Sequence, residues 1–221
     1  MSIKNNIAHF REELAKRNCQ LIAVSKTHPA EKVKEAYDAG QRIFGENKVQ
    51  EMTVKQEALP HDIQWHLIGH LQTNKVKYIA PFVSMIHSVD SVKLLDEINK
   101  QGKKLNRVIP CLLQVYIAKE ETKFGFDETE LFQLMNSKTL PAYEFVRIEG
   151  LMGMATLTGN EAQIRAEFSQ LKKMFDQIKS NHESANVKMK ELSMGMSSDY
   201  KTALDEGSTM VRIGTAIFGG R

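Results

Sequence analysis

Short apolar runs alternate with helical periodicity along this chain, and that alternation limits its architecture more than any other feature. Runs that read as strands fall at 21–26, 42–46, 63–69, 85–89, 107–116, 148–155, 191–196 and 210–213. Several are apolar almost throughout, the pattern of a parallel strand buried on both faces. Between them, Ile164, Phe168, Leu171, Phe175 and Ile178 recur at helical spacing. Val33, Ala36 and Tyr37 make a weaker stripe that Gly40 ends. Ser91 ahead of Val92, Leu95 and Ile98 reads as a helix N-cap, and 199–207 as a short helix with Ala203 and Leu204 turned inward. A further amphipathic helix with Ile7, Phe10 and Leu14 precedes the first strand. Eight strand–helix units within 221 residues predict an α/β protein, a (β/α)8 or TIM barrel that occupies 1–221 as a single domain. A doubly wound open sheet is the alternative.

Composition removes several functional classes. The net charge is only +3 and the charges are interleaved, so neither nucleic acid nor a membrane surface is an expected partner. No apolar stretch approaches a membrane span, and the N-terminal residues lack the apolar core of a signal peptide. Cys19 and Cys111 are far apart, without metal or redox spacing, and read as free thiols in a reducing cytoplasm.

A barrel carries its functional groups at the C-terminal ends of its strands. Lys26, Asn47, His66, Met152, Met194, Ser197 and Arg212 fall at or near such ends. Lys26 closes the run Leu-Ile-Ala-Val-Ser-Lys, and Thr27-His28-Pro29 breaks the chain after it. Its backbone is expected to hold it in a half-dry site, where an amine is nucleophilic toward an aldehyde. The plain alternative is a solvated lysine at a strand end. Arg212 stands within Val-Arg-Ile-Gly, where it is either half of a structural ion pair or a donor to a pyridine nitrogen. Gly214, Thr215 and Ser197 suit a phosphate, because unshielded backbone N–H groups and small side chains admit an anion. Simple helix capping by Ser197 or Ser198 is the alternative there, as it is for Asn47. His66 and His70 have a spacing that invites zinc, but no third ligand is evident. Met152, Met154, Met194 and Met196 read mostly as core, with one or two facing a ring. A reactive amine, a pyridine donor and a phosphate cradle at three strand ends together suggest pyridoxal 5'-phosphate (PLP).

The ordered motifs then resemble one family. They are Ala-Val-Ser-Lys-Thr (23–27), Phe-Gly-Glu-Asn-Lys-Val-Gln-Glu (44–51), Trp-His-Leu-Ile-Gly-His-Leu-Gln-Thr-Asn-Lys (65–75) and His-Ser-Val-Asp (87–90), followed by Lys-Phe-Gly-Phe (123–126). Gly-Leu-Met-Gly-Met (150–154), Ser-Met-Gly-Met-Ser (193–197) and Val-Arg-Ile-Gly-Thr-Ala-Ile-Phe-Gly (211–219) complete the set. With these the chain resembles the YggS/PROSC family of pyridoxal phosphate homeostasis proteins, with minor departures such as His70 and Thr73. The resemblance implies a barrel similar to the N-terminal domain of bacterial alanine racemase. It implies a Schiff base between PLP and Lys26, the pyridine nitrogen against Arg212, and the phosphate on Ser197, Gly214 and Thr215. Asn47, His66 and Met194 are expected as further cofactor contacts.

The resemblance also implies a regulator of vitamin B6 supply, a carrier that buffers PLP or delivers it to PLP-dependent apoenzymes, without an established reaction. An amino-acid racemase of narrow scope is the alternative. A racemase of the related family takes a second acid/base, a tyrosine, from a further domain of a partner subunit. No such domain is expected after the last strand, and none of Tyr37, Tyr78, Tyr116, Tyr143 and Tyr200 lies in a motif suited to the role. A monomer is expected, with the N-terminal helix covering the last strand, after which only Gly219, Gly220 and Arg221 follow Phe218.

Overall fold

The computed structural model describes residues 2–118 and 124–220. Its strands are β1 (Gln20–Val24), β2 (Ile43–Glu46), β3 (Gln64–Leu67), β4 (Met85–Val89), β5 (Ile109–Gln114), β6 (Val146–Met152), β7 (Val187–Met196) and β8 (Met210–Ile213). The helices are α1 (Ile3–Ala15), α2 (Ala30–Asp38), α3 (Val49–Ala58), α4 (Val76–Ile79), α5 (Val92–Leu105), α6 (Glu128–Met135), α7 (Glu161–Asn181), α8 (Tyr200–Asp205) and α9 (Thr215–Phe218). The strands run parallel in chain order and close on themselves. Closure is direct: Gln20, Leu21, Ile22 and Ala23 stand opposite Met210, Val211, Arg212 and Ile213. That pairing rules out the open sheet and gives the TIM barrel predicted.

Two separate apolar clusters explain the nearly continuous apolar runs. Ile22, Met85, Leu112, Met152 and Met210 point inward and fill the floor of the barrel. The alternate strand residues point outward and join the helices in a much larger cluster that includes Phe44, Trp65, Phe168 and Leu171. Both faces of each strand are therefore dry, as barrel packing requires. The strands differ from expectation mainly at their ends. β1 stops at Val24 rather than Lys26, because the chain turns at 25–28, where the His28 N–H donates to the Ser25 carbonyl and Thr27 has a φ of 67°. β7 begins earlier than its apolar run, at Val187. Val187 and Met189 are buried there while Lys188 and Lys190 reach toward water, so alternation concealed the strand.

α1 lies over the closing seam. It packs on β1, α2 and α9, and buries Ile3, Ile7, Phe10 and Leu14. Asn6 Nδ2 donates to the Ile217 carbonyl at 3.0 Å, and the Tyr200 hydroxyl donates to Glu13 at 3.1 Å. α9 is only four residues long and cannot cover β8 alone. No helix among the described residues is long and apolar enough to cross a membrane.

This packing predicts the effect of removing the helix. Each of its four buried side chains contributes roughly 1.5–3 kcal/mol, so deleting residues 1–15 should destabilise the barrel by several kcal/mol or cause aggregation. Ile7→Ala alone should cost about 2–5 kcal/mol in urea unfolding. Unchanged unfolding curves for both would show that α1 is not part of the cover.

Candidate cofactor site

The inward side chains change character along the barrel axis. Above the apolar floor lies a polar layer formed by His66 on β3, His87 on β4, Ser193 on β7 and Arg212 on β8. Above that, the C-terminal mouth opens into a cavity of about 500 Å³. Six of the eight predicted residues line it: Lys26, Asn47, Ser197, Arg212, Gly214 and Thr215. They come from the ends of β1, β2, β7 and β8, four neighbours around the barrel, so they occupy one side of the mouth.

Lys26 is exposed rather than half-dry, a consequence of β1 ending two residues before it. Asn47 is held differently. The loop after β3 crosses so close that a Cβ on Gly69 would stand 2.4 Å from the Asn47 carbonyl oxygen, a contact only glycine avoids. Asn47 does not cap the helix it precedes, because the N-cap of α3 is Lys48 and no side chain bonds there. Its Oδ1 is buried without a hydrogen-bond partner among the described residues. A buried acceptor left unpaired costs about 1–3 kcal/mol, so this amide suits a donor arriving in the cavity.

Among the described residues Arg212 forms no structural ion pair of the kind considered from the sequence. Its Nη1 donates to the Ser193 carbonyl at 2.9 Å and to Ser193 Oγ at 2.6 Å, and its Nη2 donates to the Gly153 carbonyl at 3.0 Å. All three acceptors are neutral. Burial pulls its pKa down to about 10, against the opposing pull of Asp199, so it remains a cation at neutral pH. A buried charge without a carboxylate suits an electron-rich or anionic ligand in the cavity beside it.

Behind Arg212 the polar layer continues. Ser193 Oγ lies 3.0 Å from His87 Nδ1, and His87 Nε2 lies 2.8 Å from His66 Nδ1. Burial lowers the His66 pKa to about 3 and holds His87 well below its usual value, with His66 and Arg212 adding to the effect on His87. Both rings are neutral. The arginine can only donate, so Ser193 accepts from it and passes its own proton toward His87 Nδ1; His87 Nε2–H then donates to His66. His66 thus sits below the cavity as part of the arginine's support, and its expected place among the lining residues is corrected. His87 and Ser193 went unrecognised in the sequence, although a histidine in a strand buried along its whole length requires a buried partner.

Met194 is also corrected. It is fully buried in the layer between strands and helices. A register shift between Ser193 and Met196, with Gly195 at a φ of 92°, reverses the alternation of β7. Met196 faces the cavity instead. The zinc alternative loses its geometry, because His66 bonds inside the barrel while His70 Nδ1 pairs with Asp90 at 2.8 Å on the rim. Ile68, Gln114, Phe124 and Met154 are among the other lining residues. Lys123, in the motif at 123–126, lies outside the described residues.

Ser197 and Thr215 bring their hydroxyls to 3.3 Å across the β7 and β8 ends. Ser197 does not cap α8, whose N-cap is Asp199. The Asp199 carboxylate instead accepts from the Met196 N–H at 2.6 Å and closes the turn. Gly214 lets β8 approach β1, since a Cβ there would meet the Val24 carbonyl oxygen at 3.2 Å. Thr215 opens α9, where the first N–H groups have no partner within the helix. A hydroxyl pair, a tight glycine, a buried cation, an unpaired amide oxygen and an exposed lysine around one cavity fit PLP.

Comparison with known proteins gives the same answer. A family model described as the alanine racemase N-terminal domain matches residues 1–221. A relative from Aquifex aeolicus (strain VF5), named pyridoxal phosphate homeostasis protein, is 42% identical over 207 residues, covering 92% of this chain and 88% of its own length. The chain belongs to the family of pyridoxal phosphate homeostasis proteins. Among solved structures, PipY of Synechococcus elongatus PCC7942 without PLP is 40% identical at a TM-score of 0.90, covering 99% of this chain and all of that one. The same protein with PLP bound gives 38% and 0.87. Alanine racemase from Bartonella henselae, with covalently bound PLP, is 17% identical at a TM-score of 0.71, and this chain covers 61% of it. That likeness is one of fold, and it bears out the racemase-like barrel expected for this family member.

The neutral histidines make stability depend on pH. The His66 imidazole has an ordinary pKa of 6.5 and a folded one of about 3, so between those values it takes up its proton only on unfolding. Its contribution is complete above about pH 6.5 and is lost as pH falls toward 3. Urea titrations between pH 7 and 5 should show a wild-type stability slope steeper than that of His66→Gln by up to about 1.4 kcal/mol per pH unit. Equal slopes would show that His66 is not held neutral.

Proposed function

We propose that this chain holds PLP covalently through Lys26 and serves PLP homeostasis as a carrier, keeping the reactive aldehyde in reserve for PLP-dependent apoenzymes. The observation that carries this reading is Arg212, a buried cation that among the described residues bonds only to neutral oxygens, beside a cavity that Lys26 also lines. The name shared by its relatives and the PLP bound to PipY support it. Bound PLP supplies an aldehyde that moves between amines. Lys26 is the amine that receives it. Arg212 donates an N–H toward the pyridine nitrogen and, because it does not release its proton at neutral pH, leaves that nitrogen an acceptor. Ser197, Gly214 and Thr215 hold the phosphate, and Asn47 offers its unpaired Oδ1 to a cofactor hydroxyl.

In this reading the chain is a carrier rather than an enzyme. The described residues lining the cavity include no tyrosine to act from the opposite face of a substrate carbon. An arginine at the pyridine nitrogen also weakens the ring as an electron sink. Residues 1–221 act as one PLP-binding unit. A monomer is supported by α1, which covers the β8–β1 seam without help from a second subunit. A cytoplasmic setting fits two cysteines that are buried and unpaired.

Purified protein loaded with PLP should be yellow and lose its colour with hydroxylamine. Borohydride reduction and peptide mass spectrometry should place the adduct on Lys26; an adduct on another residue would overturn the assignment. Ser197→Ala should release PLP more readily, since a hydrogen bond to a charged group contributes about 1.5–3 kcal/mol, roughly ten- to 150-fold in affinity. Thr215→Ala should lose less if its backbone N–H is the main donor. Retention by Ser197→Ala equal to wild type during dialysis would remove serine from the phosphate site. Deuterium exchange at the α-carbon of a panel of amino acids separates carrier from racemase. Sustained exchange that disappears in Lys26→Ala would establish the enzyme.

A further inference from the structure

Three charged residues outside the cavity hold both chain neighbours of Lys26. Lys55, on α3, is 4% exposed, and Glu46, at the end of β2, is fully buried. Lys55 Nζ donates to Glu46 Oε1 and to Glu51 Oε1, each at 2.7 Å, and to the Ser25 carbonyl at 2.8 Å. Ser25 Oγ donates to the same Glu46 oxygen at 2.6 Å. On the other side of Lys26, the Thr27 N–H donates to Glu51 Oε1 at 2.6 Å. Thr27 has a φ of 67°, the left-handed region that a β-branched residue avoids.

Packing alone gives no reason for this arrangement. A buried ion pair is seldom more stable than apolar side chains of the same volume, because desolvation offsets the attraction. Burial pushes the Glu46 carboxyl above its usual range despite Lys55 and Ser25, and its Oε2 is left without a partner among the described residues. An apolar trio, however, could not hold the Ser25 carbonyl from one side and the Thr27 N–H from the other. None of the three residues lines the cavity, so none touches a molecule bound there.

We infer that Glu46, Lys55 and Glu51 are positioning residues that fix the strained 25–27 backbone and thereby aim the Lys26 amine into the cavity. This rests on Lys26 being the amine that receives PLP. The two strand ends supply different parts of the site: the β7–β8 corner retains the phosphate, and the clamp behind β1 sets the geometry of the covalent bond. Loosening the clamp should slow bond formation while leaving phosphate recognition in place. It should also change the reactivity of Lys26 in protein that carries no cofactor.

The test uses the full chain with Lys55→Met, Lys55→Arg and Glu51→Gln. Three readings are taken on each: the rate of borohydride-trapped adduct at Lys26, the affinity for pyridoxine 5'-phosphate, which lacks the aldehyde, and the labelling of Lys26 by trinitrobenzenesulfonate in cofactor-free protein. Lys55→Met should slow adduct formation by about tenfold to a hundredfold, as a misplaced reacting group does. Its pyridoxine 5'-phosphate affinity should stay within about twofold, and its Lys26 labelling should differ from wild type. Lys55→Arg should restore part of the adduct rate. If Lys55→Met does not fold, Glu51→Gln, whose side chain is partly exposed, decides by the same readings. Unchanged adduct rates overturn the inference, and so does a parallel loss of covalent and non-covalent binding. No adduct at Lys26 in wild type would sink the PLP assignment itself, and is a separate outcome.

Discussion

The hydrogen-bonded pairing of β8 with β1 is the contact on which the rest of the molecule depends. It joins the two ends of the chain and turns an alternating series of strands and helices into a closed wall. The same pairing brings Lys26 into one cavity with Gly214 and Thr215. Gly214 belongs to this constraint as much as to any ligand, because a side chain there would press on Val24. α1 follows from it too: the four-residue α9 leaves part of the seam bare, and Ile7, Phe10 and Leu14 cover it.

Two of the buried charges beside that wall are treated in two ways. Inside the barrel, Arg212 is surrounded by carbonyls, a serine and neutral histidines, so its charge is left available to the cavity. Outside, between β2 and α3, Lys55 is neutralised by two carboxylates and its bonds are directed to the backbone beside Lys26. Each arrangement carries a desolvation cost that a purely structural core would avoid. Both lie within one residue layer of the same cavity wall, which is where such a cost has a use.

Several features were legible from the residues alone. The eight strands, the barrel and the positions of Lys26, Asn47, Ser197, Arg212, Gly214 and Thr215 at strand ends follow from apolar runs and the breaks after them. His66 and Met194 show where that reasoning stops. His66 is two residues below Ile68, which follows β3 and reaches the mouth, and depth along the axis is set by the stagger of neighbouring strands. Met194 faces outward by plain alternation with the inward Ser193, and a bulge around Gly195, which a single-sequence pattern does not reveal, then turns Met196 to the cavity. The clamp on Lys26 was hidden because Lys55 lies on a helix with little amphipathic character and pairs with residues on another element.

Local chemistry in the sequence thus determined which elements form and which residue types stand at their ends, since apolar periodicity and chain breaks act over a few residues. Partners distant in the chain were decided by the tertiary structure: His87 with Ser193, Ser197 with Thr215, and Lys55 with the carbonyl of Ser25. The physical reason is that burial, stagger and register exist only once the barrel closes. Only then do a cation without a carboxylate, an amide oxygen without a donor and an exposed lysine come to surround one space.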